Sequence, residues 1–272
     1  SSYPAELLLP AALPASIAAI AADADRIEHS VGAATYADAV AQQPFVRKML
    51  ARELTLDWAV THTVSDDPAK GQRRATDDAL LWPQVERFMK PPVRQLDLVS
   101  AYFVPGEAGV GYLIALAKRG VKITVLTNSL EATDVPAVHS GYSKWRPALL
   151  GAGITLLEMK RSSTAASAPG ALSGGSSGSS LHAKTFAIDR AQVFVGSFNF
   201  DPRSARLNTE LGFVIDSPEM ASAVADAVAG RLAERAYRLR LDDAGALQWI
   251  ELIDGKWSTM PSPGRRRGSA RA

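Results

Sequence analysis

Residues 181–210 read LHAKTFAIDRAQVFVGSFNFDPRSARLNTE. The first part, residues 181–188, alternates in a β-favouring composition and ends at a turn signal. This pattern predicts a strand over residues 181–188 and a second strand over residues 192–195. Because successive side chains of a strand point to opposite faces, His182 and Lys184 are expected to share a face.

Three further polar positions follow at informative spacings. Asp189 comes seven positions after His182 with the opposite parity, so bracing the turn suits it better than a place in the same pocket. Ser197 and Asn199 are two positions apart after the second strand and can share a face. Glu210 opens another alternating run. The segment therefore predicts one polar cluster with a separate turn residue.

This cluster suits phosphoryl chemistry. A neutral imidazole such as that of His182 is a nucleophile or a general acid and base near neutral pH. Lys184 supplies a positive charge, and the hydroxyl of Ser197 and the amide of Asn199 can bind non-bridging oxygens. A carboxylate at Glu210 could hold the second ring nitrogen of the histidine. Such a set favours an anionic phosphoryl centre attacked by histidine.

No metal or other cofactor is expected. The chain has no cysteine, and its four histidines do not fall into a spacing with acidic residues that is typical of a ligand set.

The motif HxKxxxxD at 182–189, followed by GSxN at 196–199 and by Glu210, resembles the signature of the phospholipase D superfamily. The run 181–210 is similar to bacterial cardiolipin synthases, and so is TNSLEATDVPAVHSGY at 127–142. The resemblance covers most of residues 1–257. It implies phospholipid substrates and phosphodiester chemistry through a phosphohistidine, with phosphatidyl transfer that yields cardiolipin.

The resemblance also implies roles for single residues. His182 would be the nucleophile or the general acid, and two-motif relatives favour the acid for a C-terminal motif. His139, in the family-like stretch, either lines the pocket or caps a local element. Arg203 either binds a lipid phosphate or lies on a helix surface. The expected catalytic residues are His182, Lys184, Asp189, Asn199 and Glu210, and the expected substrate contacts are Ser197, His139 and Arg203.

Only one copy of the motif is found in this sequence, whereas the cardiolipin synthases it resembles carry two. The chain is therefore expected to be a C-terminal half whose partner is a missing N-terminal half or a second copy of itself. The resemblance further implies a peripheral position on the cytoplasmic side of a bacterial inner membrane.

Composition leaves two other functions open. A net charge of +2 does not favour nucleic acid as a partner. A homodimeric, metal-independent phosphodiesterase or nuclease nevertheless remains an alternative. A catalytically incomplete lipid-binding half is another. No transmembrane helix is predicted, because the apolar run near the start contains Pro10 and Pro14 and is short.

The expected fold is α/β. Residues 95–104, 107–119 and 121–127 read as strand, helix and strand, which predicts a parallel crossover. We expect one phospholipase D-like domain over residues 1–257, with a mixed sheet sandwiched between helices. Residues 161–180 are predicted to be a low-complexity loop. Residues 258–272 are predicted to be a disordered tail.

Helices are also expected near the start of the chain. Residues 11–26 are rich in alanine and other good helix formers, and a second helix is predicted over residues 36–52.

Overall fold

The computed structural model of the chain describes residues 14–161, 181–253 and 256–260. Contacts divide these residues into a helical unit that ends at Trp58 and an α/β unit that begins at Ala59. Such a division does not decide whether the units fold independently, so a single domain over residues 1–257 stays a prediction. The predicted loop 161–180 lies almost wholly outside the described residues.

The helical unit contains α1 (Pro14–Glu28), α2 (Val31–Ala41) and α3 (Pro44–Leu50). Ser30 caps α2 by accepting a hydrogen bond from the backbone of Ala33 at 3.1 Å. The single helix predicted over 36–52 is wrong, because two helices meet there. Pro44 lacks a backbone N–H and suits the first turn of a new helix, so α2 ends before it.

The α/β unit is built on one ten-stranded sheet. Its strands are β1 (Val60–Ser65), β2 (Gln95–Ser100), β3 (Lys122–Asn128), β4 (Thr155–Met159), β5 (Lys184–Ile188), β6 (Gln192–Gly196), β7 (Leu211–Asp216), β8 (Ala236–Leu241), β9 (Leu247–Ile253) and β10 (Lys256–Met260). Their spatial order is β1-β7-β6-β5-β2-β3-β4-β8-β9-β10. The pairs β2–β3 and β3–β4 are parallel and the other pairs are antiparallel, so the sheet is mixed.

Helices lie on both faces of this sheet. The helices of the unit are α4 (Leu81–Phe88), α5 (Gly106–Lys118), α6 (Pro136–Ser143), α7 (Arg146–Gly151), α8 (Pro202–Arg206), α9 (Pro218–Ala229) and α10 (Arg231–Glu234). Two short 3-10 helices, Pro68–Gln72 and Asp77–Ala79, connect β1 to α4. None of the helices in the described ranges is long and apolar enough to span a bilayer.

The strand alternation sorts the core into two layers. Phe186 and Ile188 of β5 pack into the large cluster with α4 and α5, whereas Ala187 between them packs against α9. In β2, Leu98 belongs to the first layer and Val99 to the second. The predicted α/β sandwich is therefore confirmed, and the alternation read from the sequence is its cause.

Two predicted boundaries are wrong. The strand predicted over residues 181–188 begins only at Lys184, so His182 lies outside it. The disorder predicted from residue 258 is wrong for residues 258–260, because residues 256–260 pair with β9 in antiparallel register. Strand β10 joins the sheet by pairing with β9, and the short sequence of β10 does not by itself reveal this pairing. Residues 261–272 lie outside the described residues.

Glycines allow β6 and β7 to approach closely at Gly196, which lies opposite Gly212. A Cβ atom at Gly196 would lie 2.5 Å from the carbonyl oxygen of Leu211 and 2.7 Å from the Cα of Gly212. We expect Gly196→Ala to lower the free energy of unfolding by about 1–3 kcal/mol, because backbone atoms cannot move aside cheaply. Urea denaturation measures this change.

The matched control is Gly111→Ala in α5, where no atom beyond the adjacent residues and the local helix backbone lies within 4 Å of the added Cβ. It should be neutral or stabilise the chain by up to about 1 kcal/mol. Equal effects of the two substitutions would contradict the steric argument.

Candidate active site

Several strands end or begin at one edge of the sheet, called here the site edge. Parallel strands β2 and β3 end there, at Ser100 and Asn128. Of the neighbouring antiparallel strands, β5 begins at this edge with Lys184 and β6 ends there with Gly196. Ligands of α/β sheets bind beyond the carboxyl ends of parallel strands, so this edge is the expected place for a site.

Lys184 is buried at the site edge, with 9% of its surface exposed. Its Nζ donates a hydrogen bond to the carbonyl oxygen of His182 at 2.6 Å. Burial lowers the pKa of the ammonium group, and the nearby carboxylates of Glu210, Asp134 and Asp201 act in the opposite direction. The lysine is therefore a positive charge that is held in place by its neighbours.

Ser197 and Glu210 form a hydrogen-bonded pair beside it. The Ser197 hydroxyl donates to the Glu210 carboxylate and accepts from the backbone N–H of Leu211 at 3.0 Å. Glu210 was expected to bind the ring of His182. Among the described residues no hydrogen bond joins these two side chains, so that expected contact is corrected to one with Ser197.

Asn199 is buried and tied to two neighbouring segments. Its Oδ1 accepts from the backbone N–H of Tyr102 at 3.3 Å, and its own backbone N–H donates to the Ser204 hydroxyl at 3.2 Å. The amide is thus held between the end of β2 and helix α8. Its Nδ2 has no protein acceptor within the described ranges, so it is available to donate to an anionic group.

His182 lies two residues before β5, and its side chain is exposed. The backbone N–H of Ala101 donates to the carbonyl oxygen of Ala183 at 3.2 Å, which holds the chain just after the histidine. In the part of the chain that the structure describes, the imidazole makes no hydrogen bond. The ring is therefore open to an incoming substrate.

Asp189 lies at the other end of β5. It comes five positions after Lys184, which corresponds to roughly 16 Å along a strand. It has a positive φ of 53°, and its carboxylate accepts from the backbone N–H groups of Val93, Arg94 and Gln95 at 3.0, 2.7 and 2.7 Å. These bonds join the turn to the start of β2. Asp189 therefore stabilises the end of the sheet that lies opposite the other site residues.

His139 and Arg203 do not join the cluster. His139 is 7% exposed, and its Nε2 lies 2.5 Å from a guanidinium nitrogen of Arg146. Desolvation, together with the charge of Arg146, lowers the pKa of His139 to about 4. Arg203 lies exposed on α8. Among the described residues neither side chain forms a hydrogen bond with Lys184 or Asn199. The pocket-lining role of His139 and the substrate contact of Arg203 stay predictions.

A buried ion pair that no sequence pattern indicated holds the site edge together. Lys70 Nζ donates to Asp66 Oδ2 at 2.6 Å, and the two side chains are 2% and 0% exposed. Asp66 Oδ2 also accepts from the backbone N–H of Glu210 at 2.8 Å, and Lys70 donates to the carbonyl oxygen of Ser204 at 2.7 Å. No motif marks these residues as part of the site, because the backbone groups that they bind, at Glu210 and Ser204, are distant in sequence.

An apolar cleft of about 810 Å³ lies beside the site edge, between α4 and α5. Phe198 and Phe200, which flank Asn199, line it together with Trp82 and Phe186. Within the described residues, no group of three or more acidic or histidine side chains is arranged to bind a metal ion.

The buried ion pair predicts a large effect on stability. Lys70→Met leaves the Asp66 carboxylate buried without its cation, so we expect the free energy of unfolding to fall by about 3–5 kcal/mol. The control is Lys160→Met, whose pair with Glu251 is 20% and 19% exposed. That change should cost about 1 kcal/mol or less. Similar losses in the two variants by urea denaturation would contradict the assignment.

The buried histidine predicts a pH dependence of stability. Because the pKa of His139 falls from 6.5 to about 4 on folding, unfolding takes up a proton below pH 6.5. Stability is therefore lost as the pH falls from 6.5 through 4, by about 3 kcal/mol from this group. His139→Gln should flatten the profile of unfolding free energy over this range, and an unchanged slope would contradict it.

The sequence of the chain is similar to those of several known proteins. The family described as "Cardiolipin synthase, PLD-like domain" matches residues 86–230, more than half of the chain. Cardiolipin synthase C of Escherichia coli (strain K12) is 45% identical over 210 residues, which are 76% of this chain and 44% of that protein. Cardiolipin synthase B of the same strain is 27% identical over 140 residues, covering 52% and 29%.

Among solved structures, Nuc from Salmonella typhimurium, a phospholipase D family member, aligns with a TM-score of 0.47 and 16% identity. The alignment covers 66% of this chain and 99% of that chain. The chain spans less than half the length of the curated relatives named above. The match over residues 86–230 includes His182, Lys184 and Asn199, so the chain belongs to the family of cardiolipin synthase, phospholipase D-like domains.

Proposed function

We propose that this chain supplies half of the active site of a phosphatidyltransferase that makes cardiolipin from phospholipids. The observation that carries the proposal is the site edge, where an exposed imidazole lies beside a buried ammonium group and an amide donor. The family and the 45% identity to cardiolipin synthase C support it.

Each group has a distinct task in this chemistry. A histidine attacks the phosphorus of one phospholipid, the bond to its head-group oxygen breaks, and a phosphohistidine forms. A second histidine protonates the departing alcohol and later deprotonates the incoming one. His182 is one of these two imidazoles. Lys184 and Asn199 bind the non-bridging oxygens, where negative charge accumulates in the transition state.

The other side chains hold these groups in position. Ser197 and Glu210 keep a hydroxyl and a carboxylate next to Lys184, which balances its charge. Asp189 braces the far end of β5 through the start of β2. Arg203 is exposed on the helix that follows Asn199, where its guanidinium can contact a second lipid phosphate.

The second histidine comes from outside this chain. The described residues place one motif at the site edge, and the chain spans 44% of cardiolipin synthase C. An N-terminal half of the same kind of enzyme, or a second copy of this chain, would supply the facing imidazole. The phospholipid substrates place the enzyme at a membrane surface, which we propose to be the cytoplasmic face of a bacterial inner membrane.

The apolar cleft favours a lipid over a nucleic acid as substrate. Its lining is largely aromatic and aliphatic, and it begins at Phe198 and Phe200, on either side of Asn199. A nucleic acid would instead require a basic stripe along its backbone. With a net charge of +2, the chain has no large excess of positive charge for that purpose.

The test is a transfer assay on the chain combined with the N-terminal half of cardiolipin synthase C. Vesicles of phosphatidylglycerol are the substrate, and cardiolipin is measured by mass spectrometry. His182→Ala should lower the rate at least about 1,000-fold, because the reacting imidazole is lost.

The matched control is His29→Ala, which removes an exposed histidine of the helical unit and should leave the rate within about twofold. Full activity of the His182 variant would refute the assignment of the site. Absence of cardiolipin with the unaltered chain, combined with cleavage of DNA, would favour the nuclease alternative.

A further inference from the structure

The exposed histidine raises a structural question, because it lies outside the strand that follows it. His182 precedes β5 by two residues, so the ladder of strand hydrogen bonds does not fix its backbone. A reacting imidazole must nevertheless be held closely, since a misplacement of about 1 Å can cost about 100-fold in rate. Some other group has to set the position of this segment.

We infer that Asn128 is the positioning residue for His182, and this inference rests on the function proposed above. Its side-chain amide bonds both backbone groups of Leu181, the residue before the histidine. Nδ2 donates to the carbonyl oxygen of Leu181 at 3.0 Å, and Oδ1 accepts from the N–H of Leu181 at 2.9 Å. Nδ2 also donates to the carbonyl oxygen of Ala101 at 3.2 Å.

An asparagine amide suits this task because it carries the same donor and acceptor as a peptide group. It therefore takes the place of a neighbouring strand for one residue of the chain. Donation to Ala101 links the same amide to the segment that follows β2. In this way the amide joins three segments: the end of β3, the segment after β2 and the approach to β5.

The amide is itself held rigidly. Asn128 is the last residue of β3, is 3% exposed, and pairs with Met159 of β4. Because the donor and acceptor are built on a central strand, they can fix a neighbouring segment that lies outside the sheet.

The backbone of the histidine is then held on both sides. Asn128 binds Leu181 before it, and Ala101 donates to the carbonyl oxygen of Ala183 after it. The carbonyl oxygen of His182 itself accepts from Lys184. Only the side-chain torsions of the histidine remain free, so Asn128 acts on the reaction through the main chain and touches no substrate.

The first experiment measures this positioning in the 272-residue chain and requires no activity assay. Hydrogen exchange of the Leu181 amide, followed by NMR, should accelerate more than about tenfold in Asn128→Ala, because that N–H loses its acceptor. Gln192→Ala is the matched control. The amide of Gln192 also bonds two backbone groups, at Phe88 and Lys90, but at the opposite edge of the sheet.

The second experiment uses the two-half transfer assay. Asn128→Ala should lower kcat about 10- to 100-fold with KM changed less than about threefold, because the residue orients the imidazole and does not bind lipid. Gln192→Ala should leave both constants within about threefold. Both variants are assayed where unfolding curves show them to be folded.

The variant Asn128→Asp gives a signature that a structural role alone would not produce. An ionised carboxylate would still accept from Leu181 but would repel the carbonyl oxygens of Leu181 and Ala101. Burial raises the pKa of such a carboxyl group, and protonation restores a donor. The kcat of this variant, relative to the unaltered chain, should therefore rise as the pH falls.

The outcomes separate the two proposals. If exchange at Leu181 is the same in Asn128→Ala and Gln192→Ala, the positioning role is wrong whatever the enzyme does. If exchange changes as expected but kcat does not, the contact exists without serving catalysis, and the inference is also wrong. If the unaltered chain makes no cardiolipin in the assay, the proposed function fails while the exchange result still stands.

Discussion

Backbone groups that leave the sheet at the site edge must find hydrogen bonds without a neighbouring strand, and the rest of the site depends on how this is achieved. A buried N–H or carbonyl without a partner costs as much as a lost hydrogen bond. Here buried polar side chains provide the partners. Asp66 binds the N–H groups of Leu81 and Glu210 at 2.7 and 2.8 Å, and Asn128 binds both groups of Leu181.

These side chains hold the segments that carry chemistry. Asp66 fixes the start of the segment at Glu210, and its partner Lys70 holds the carbonyl oxygen of Ser204 on α8. The Ser204 hydroxyl in turn accepts from the backbone of Asn199. The result is a shell of buried polar contacts beneath an exposed imidazole, which suits a site that has a rigid backbone and is open to the proposed phospholipid substrate.

Parts of this arrangement follow from local sequence. The alternation in residues 181–188 predicts a strand, and in the observed strand β5 Phe186 lies in one core layer and Ala187 in the other. The parity of Asp189 and the turn signal beside it predict a residue that braces a turn. Its carboxylate accepts three backbone hydrogen bonds that join this turn to the start of β2. These features depend on neighbours within a few residues, which a strand pattern encodes.

Other parts could not be predicted in this way. A hydrogen bond between Glu210 and His182 requires the two segments that carry them to be aligned along the strand direction. The register of the strands sets that alignment. From the family-like stretch, His139 was expected either to line the pocket or to cap a local element. Its burial beside Arg146, which lowers the pKa of the ring, depends on tertiary contacts. Nothing in the residues around Asp66 marks it as a site residue. Asn128 lies in the stretch 127–142 that is similar to cardiolipin synthases, but that similarity does not indicate its contact with Leu181.

The sequence by itself determined the α/β class, the strand faces and the identity of the residues that carry the motif, because periodicity and spacing are local properties. Only the tertiary structure decided the order of the strands, the partner of Glu210 and the supports of the site edge. The contacts that create those supports join residues 53 positions apart in Asn128 and Leu181, and 144 apart in Asp66 and Glu210. Such contacts depend on how the whole sheet is assembled, and no local pattern contains that information.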